Sequence, residues 1–146
     1  MVSPDAGALK KVFRVAEDIR YTNDIIIASK HRNLKTGKIT HTDVPGLNNC
    51  SPDSNFIIID DICDGGRTFI EIAKVIQSHV WPHDEYFRGK IYLIVSHGIF
   101  SGGLLELSKY FEKIFTTNSI HNNIDSESYS DYTVKKDFVQ QLNLFN

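Results

Sequence analysis

The chain has 146 residues, the size of one ordinary domain, and with 41% hydrophobic and 23% charged residues it can bury a core without disulfides or a structural metal. A formal net charge of −2 supplies no global basic field to recruit nucleic acid, and no apolar run approaches the roughly 18–20 residues that span a bilayer. Cys50 and Cys63 make no disulfide framework, and Met1-Val2-Ser3-Pro4-Asp5 lacks the basic flank and apolar stretch of a signal peptide, so a cytoplasmic protein is expected.

In chain order, Gly7 to Tyr21 carries Leu9, Val12, Phe13, Val15, Ala16 and Ile19 at helical spacing, with Pro4 and Asp5 where a helix would begin. Ile25–Ala28 and Phe56–Ile59 are short β-rich runs of the kind buried on both faces in parallel sheets. Between them, 30–55 is polar, with Gly37, Pro45, Gly46 and Pro52 and an alternation around Lys38–Val44, which predicts a protruding hairpin or flexible loop. Thr68–Ser78 is a second helix pattern, and Trp81–Phe87 an enlarged loop whose aromatics pack down. Ile91–Val95 is a third strand, Leu104–Phe111 a helix and Ile114–Thr117 a fourth strand. The segment 121–132 is a polar surface excursion, and Val134–Leu142 predicts a closing helix. Strands alternating with helices imply an α/β fold: a mainly parallel twisted sheet with helices on both faces, in one domain over 1–146.

The strongest chemical signal is Phe56-Ile57-Ile58-Ile59-Asp60-Asp61-Ile62-Cys63-Asp64-Gly65-Gly66-Arg67-Thr68. A strand ends in paired acids, passes through a glycine turn and enters a helix, and the amino end of that helix suits a phosphate. The acids would repel a bare phosphate, so accepting hydrogen bonds from vicinal sugar hydroxyls, directly or through Mg²⁺, is the task left to them. Against this stands the plain reading of an acidic loop with an Asp or Thr helix cap. Ser3-Pro4-Asp5-Ala6-Gly7 is a weaker signal for an anion- or metal-binding turn. Chemistry-bearing residues thus begin almost at Met1, where a strand would ordinarily position them, so a preceding segment or separate subunit is expected. Lys30-His31-Arg32 places two cations one residue apart after a strand, able to close over a polyphosphate or simply be solvated. Ser96-His97-Gly98-Ile99-Phe100-Ser101-Gly102-Gly103 repeats the strand–glycine–helix pattern, with His97 read as structural. The six histidines show no metal-ligand spacing along the chain, and nothing cationic beside Cys63 argues for a reactive thiolate.

The acidic run resembles the signature of type I phosphoribosyltransferases and ribose-phosphate pyrophosphokinases, with Gly65 where those families carry Thr and Arg67 where they carry the second Gly. Ser3-Pro4-Asp5-Ala6-Gly7-Ala8 resembles the pyrophosphate loop of the pyrophosphokinases, with Ala8 in place of a Gly. Lys30 and Arg32 match the Lys-x-Arg that begins their flexible catalytic loop, and Lys35-Thr36-Gly37-Lys38-Ile39 resembles their hairpin. Ser96–Gly103 and Thr116–Ile120 resemble two further strings, so the likeness runs from about Val2 to Ile120 in order. It implies a Rossmann-like, type I phosphoribosyltransferase fold, equivalent to the second half of a pyrophosphokinase with the first half absent.

On that resemblance, Asp60, Asp61, Asp64, Gly65, Gly66, Arg67 and Thr68 would hold ribose 5-phosphate. Asp5, Ala6, Gly7 and Ala8 would face pyrophosphate or ATP. Lys30 and Arg32 would be catalytic, and Asp5, Asp60 and Asp61 would serve Mg²⁺. The expected reaction is transfer of diphosphate from ATP to ribose 5-phosphate, giving 5-phosphoribosyl 1-pyrophosphate (PRPP), weak or absent without the missing half. Two alternatives remain: a phosphoribosyltransferase that consumes PRPP in nucleotide salvage, and a non-catalytic PRPP-binding regulatory subunit. Partners would be the sugar phosphates, ATP, and a second copy or a complementing N-terminal domain.

Overall fold

A computed structural model describes residues 1–32, 39–121 and 134–144. Six strands form one parallel sheet: β1 (Val2–Ser3), β2 (Ile26–Ile27), β5 (Phe56–Cys63), β8 (Ile91–Gly98), β9 (Lys113–Thr117) and β10 (Val139–Leu142). Their order across the sheet is β10-β9-β8-β5-β1-β2. The crossovers carry α1 (Leu9–Asp18), α2 (Arg67–Ser78) and the single turn α3 (Leu105–Ser108). Two antiparallel pairs stand outside the sheet, β3 (Ser29–Arg32) with β4 (Ile39–Asp43), and β6 (Val80–Trp81) with β7 (Glu85–Tyr86).

The alternation of β5 divides the core. Phe56 and Ile58 pack with Phe69, Ile72, Ala73 and Ile76 of α2 and with Leu104 and Leu107 beside α3. Ile59, with Ile57, packs with Val12 and Ala16 of α1. Helices therefore cover both faces, as the doubly buried apolar strands require. Burying each of Phe69, Ile72 and Ile76 contributes about 1.5–3 kcal/mol, which fixes α2 and with it the loop that precedes it. Among the described residues, no helix is long and apolar enough to cross a membrane.

Several elements differ from expectation. Helix α1 stops at Asp18 because Arg20 turns left-handed (φ 55°), and Tyr21 N–H donates to Ala16 O while Arg20 N–H donates to Glu17 O, closing the last carbonyls. The third helix is one turn long. The predicted closing helix is instead β10: Val139–Leu142 pairs in parallel with Ile114–Thr117. The spacing of Val134, Phe138 and Leu142 suits a helix, but the outer edge of β9 offers a row of unpaired backbone groups, and pairing with it wins. Phe138 then buries its ring, and its carbonyl accepts the Ile114 N–H at 2.8 Å. Val2–Ser3, read only as the start of a loop, is itself a strand between β2 and β5, so the positioning strand is already in the chain. Of the segment 30–55 expected as a hairpin or flexible loop, 39–43 pairs with β3 as β4 and Leu47–Asn49 is a short turn of helix, while 33–38, which holds most of the Lys35–Ile39 string, lies outside the described residues, as does the excursion read over 121–132 past His121. Trp81 packs down as expected: it is buried, stacks near Phe87, and its indole N–H reaches the carbonyls of Leu47 and Cys50 at 3.0 and 2.9 Å.

Candidate functional site

Strand β5 runs past the apolar residues and includes Asp60 and Asp61, so the acids stand on the strand's carboxyl end and not in a loop after it. The chain then turns through Asp64, Gly65 and Gly66 into α2. Gly66 is glycine for two reasons: its φ is 75°, and a Cβ there would lie 3.0 Å from Leu107 Cδ2. Gly65 is different, since a Cβ would meet nothing closer than Ser101 Oγ at 4.0 Å. The loop thus has room for the Thr that the resemblance leads one to expect there. Arg67 begins the helix and is exposed. The first turn of α2 has no acidic residue and no side-chain cap; its Phe69 N–H donates to Gly66 O at 3.1 Å, which leaves the Arg67 and Thr68 amides and the positive end to face an anion.

A second loop holds this one in place. The N–H groups of Ile99 and Phe100 both donate to Cys63 O, at 2.9 and 3.1 Å. Gly102 lies so close that a Cβ would fall 2.9 Å from Gly65 O. Phe100 accepts a left-handed backbone (φ 50°) to seat its ring in the core. His97 takes the structural role expected of it. Its Nδ1 is 2.7 Å from Ser119 Oγ, whose hydroxyl donates to Ser96 O at 3.1 Å, so the imidazole Nδ1–H is the donor of the pair. It ties the end of β8 to the end of β9.

A cleft of about 290 Å³ opens at the carboxyl ends of β1 and β5, lined by Asp5, Lys30, Asp60, Asp64, Arg67 and Thr68 and by the backbone of Gly65 and Gly66. Three sequence motifs meet there. Lys30 Nζ donates to Thr68 Oγ1 at 3.1 Å, joining β3 to the first turn of α2. Asp5 Oδ1 accepts the Ala8 N–H at 3.0 Å, and Ser3 Oγ, fully buried, donates to Asp5 O at 2.7 Å, which fixes the turn between β1 and α1. A carboxylate oxygen of Asp5 and one of Asp60 remain outside those bonds; oxygen donors of this kind fit a hard cation such as Mg²⁺ completed by water.

Other expected site residues are placed differently. Ala6 and Gly7 are exposed and Ala8 is buried, and none of the three lines the cleft. Asp61 also stays off its lining. The Arg32 side chain lies outside what the structure describes. One residue of the site's surroundings was not read from the sequence: Lys11 on α1 pairs with Asp61 and lies 3.7 Å from Asp60 Oδ1. One lysine from α1 thus offsets part of the charge of the paired acids. Nothing in the spacing signals this, because only the placing of β1 beside β5 brings α1 over the acids. Burial first, then the charges of Asp64 and Asp60, push the Cys63 thiol up to about 12, which disfavours a thiolate there.

A larger concavity, about 1380 Å³, lies at the other end of the sheet, lined by residues such as Met1 and Phe56 that begin β1 and β5. Ligands in open α/β sheets sit outside the carboxyl ends of strands, so the smaller cleft is the functional candidate.

The chain is similar to known proteins over most of its length. The ribose-phosphate pyrophosphokinase of Pyrococcus abyssi is 28% identical over 139 residues, which is 92% of this chain and 43% of that protein. The ribose-phosphate pyrophosphokinase of Mycoplasmopsis pulmonis is 34% identical over 125 residues, 84% of this chain and 35% of that protein. No family model matches. The phosphoribosylpyrophosphate synthetase of Mycobacterium smegmatis has the same fold, with a TM-score of 0.68 at 17% identity over 98% of this chain and 40% of that one. The chain spans about two fifths of the length of these proteins. It has the type I phosphoribosyltransferase fold and is a homologue, over most of its own length, of a part of the ribose-phosphate pyrophosphokinases.

Proposed function

We propose that the cleft binds ribose 5-phosphate and PRPP, and that the chain serves diphosphate transfer from Mg-ATP to ribose 5-phosphate together with a part supplying the remaining length of its relatives. The observation that carries this reading is the convergence of Asp5, Lys30, Asp60 and the Asp64–Thr68 turn on one cleft. The first-turn amides of α2 and the Thr68 hydroxyl take the 5-phosphate, with Arg67 beside it. Asp60 takes a ribose hydroxyl at the other end of the sugar. Lys30, which also lines the cleft, can neutralise charge spreading over a transferred group, because phosphoryl transfer depends mainly on positioning and electrostatics. Mg²⁺ would be held by Asp5 and Asp60, and when bound would offset phosphate charge. Lys11 holds the acids until a ligand or cation competes for them.

Binding and turnover are tested separately. Calorimetry with PRPP and Mg²⁺ is expected to show one site that ribose 5-phosphate competes for, weakened by Asp60→Asn. Release of AMP from ATP and ribose 5-phosphate is expected to be weak or absent for this chain alone and restored by adding the remaining part of a relative. Full turnover by the 146-residue chain by itself would contradict that requirement. Arg67 in the cleft favours a second reading, a PRPP-binding subunit without catalysis; tight binding with no turnover even after complementation would select it.

A further inference from the structure

Sequence spacing gives the six histidines no metal-ligand pattern, yet the fold makes one. His31 on β3 stands directly across from His41 on β4, and Asp43 lies two residues beyond His41, on the same side of the strand. The imidazole rings stack with centroids 4.1 Å apart and planes 4° from parallel. His31 Nε2 is 2.8 Å from Asp43 Oδ2, and His41 Nε2 is 3.5 Å from the same oxygen. One ligand atom from each residue lies within 4.8 Å of the others, and all three side chains are exposed.

We propose that His31, His41 and Asp43 bind one divalent transition-metal ion, of which Zn²⁺ is the representative. Two imidazoles and a carboxylate make a donor set that suits Zn²⁺, Co²⁺, Ni²⁺ or Cu²⁺ and not Mg²⁺. Three protein ligands leave a position for water. The Nε2 atoms of both rings face the same Asp43 oxygen, so a cation placed between them would meet all three donors. Thr40 favours the His41 tautomer with its proton on Nδ1, which leaves Nε2 for a metal. Its hydroxyl donates to His31 O at 3.0 Å and can therefore only accept from His41 Nδ1, which lies 3.5 Å away at the outer limit of a hydrogen bond. Zinc–nitrogen bonds of about 2.0–2.1 Å set tetrahedral ligand atoms about 3.4 Å apart, so the most separated pair must close by up to about 1.4 Å and His31 Nε2–Asp43 Oδ2 must open from 2.8 Å, changes that exposed side chains can make by rotation.

The site lies on the other face of the hairpin from the cleft. Lys30, one residue from His31, pairs with Thr42 and sends its ammonium group to Thr68. A metal across His31 and Asp43 therefore staples β3 to β4 without occupying the phosphate site, and fixes the strand that carries Lys30. The proposal does not rest on the phosphoribosyl reading.

The test uses the whole chain with Zn²⁺ in calorimetry and Co²⁺ as a visible probe. One Zn²⁺ per chain is expected, with the Co²⁺ ligand-field bands displaced by Zn²⁺ and unaffected by excess Mg²⁺. His31→Ala and His41→Ala, checked for folding by circular dichroism, should each weaken Zn²⁺ binding at least about tenfold. His97→Ala and Asp60→Asn should leave it unchanged. Imidazole ¹⁵N signals of His31 and His41 should move on zinc addition without any sugar phosphate. Absence of Zn²⁺ binding, or binding that survives both histidine substitutions or is lost with Asp60→Asn, would overturn the proposal.

Discussion

The two sides of the cleft are built differently. On one side, the Asp64–Thr68 turn is backed by main chain: Cys63 O accepts two amides from the Ile99–Phe100 turn, Gly102 abuts Gly65, and Gly66 rests on Leu107. On the other, among the described residues, β3 pairs with β4 alone, outside the main sheet, and Lys30 reaches the cleft through a side-chain hydrogen bond to Thr68. Main-chain bonds backed by a packed core cannot give way singly, whereas a surface lysine contact is worth little by itself and reforms readily. A phosphate grip needs the first kind of support; a charge that must follow a changing ligand can use the second.

The largest effect that would break this contrast comes from Gly66→Val. A β-branched residue at φ 75°, pressed against Leu107, should cost about 2–4 kcal/mol in denaturant unfolding and abolish PRPP binding. An unchanged midpoint would show that the turn is not held as described. Next, Thr68→Val keeps shape but removes the hydroxyl. It should lower PRPP affinity about tenfold by calorimetry with little change in melting temperature, as expected for one hydrogen bond to a charged group. Lys30→Met should change equilibrium affinity less than Thr68→Val does, and the reverse order would mean that the hairpin, not the turn, grips the ligand. Lys11→Met removes the cation that pairs with Asp61 and Asp60, so Mg²⁺ binding to the ligand-free chain should tighten about twofold to fivefold. The smallest effect is a thiol count. Because its folded value is pushed up to about 12, Cys63 stays protonated at neutral and mildly alkaline pH and should react with a thiol reagent only on unfolding, leaving Cys50 as the thiol titrated in the native chain.

These regions also differ in how much of them the sequence reveals. The Asp64–Thr68 turn was legible because its causes are local: an apolar run, two acids, two glycines and a helical pattern follow one another between Phe56 and Ser78. The β3–β4 pair was legible from alternation, and Lys30 on β3 does reach the cleft. What could not be read depends on partners distant in the chain. Lys11 looks like solvated helix charge until β1 is seated beside β5. Val139–Leu142 has helical spacing and becomes a strand because β9 has an open edge. His31, His41 and Asp43 gather only through the cross-strand register, which the spacing of histidines along the chain does not show. Ala6 and Gly7 match a loop string without lining the cleft.

The central claim, that one cleft holds a phosphorylated pentose by both ends, is tested most directly by following backbone amide signals while PRPP is added with Mg²⁺. The signals of Gly65, Gly66, Arg67 and Thr68 should move together with those of Asp60 and Asp61, saturating at one equivalent. If those signals stay in place, or if the shifts gather instead around Met1 and Phe56 at the opposite end of the sheet, the claim is contradicted.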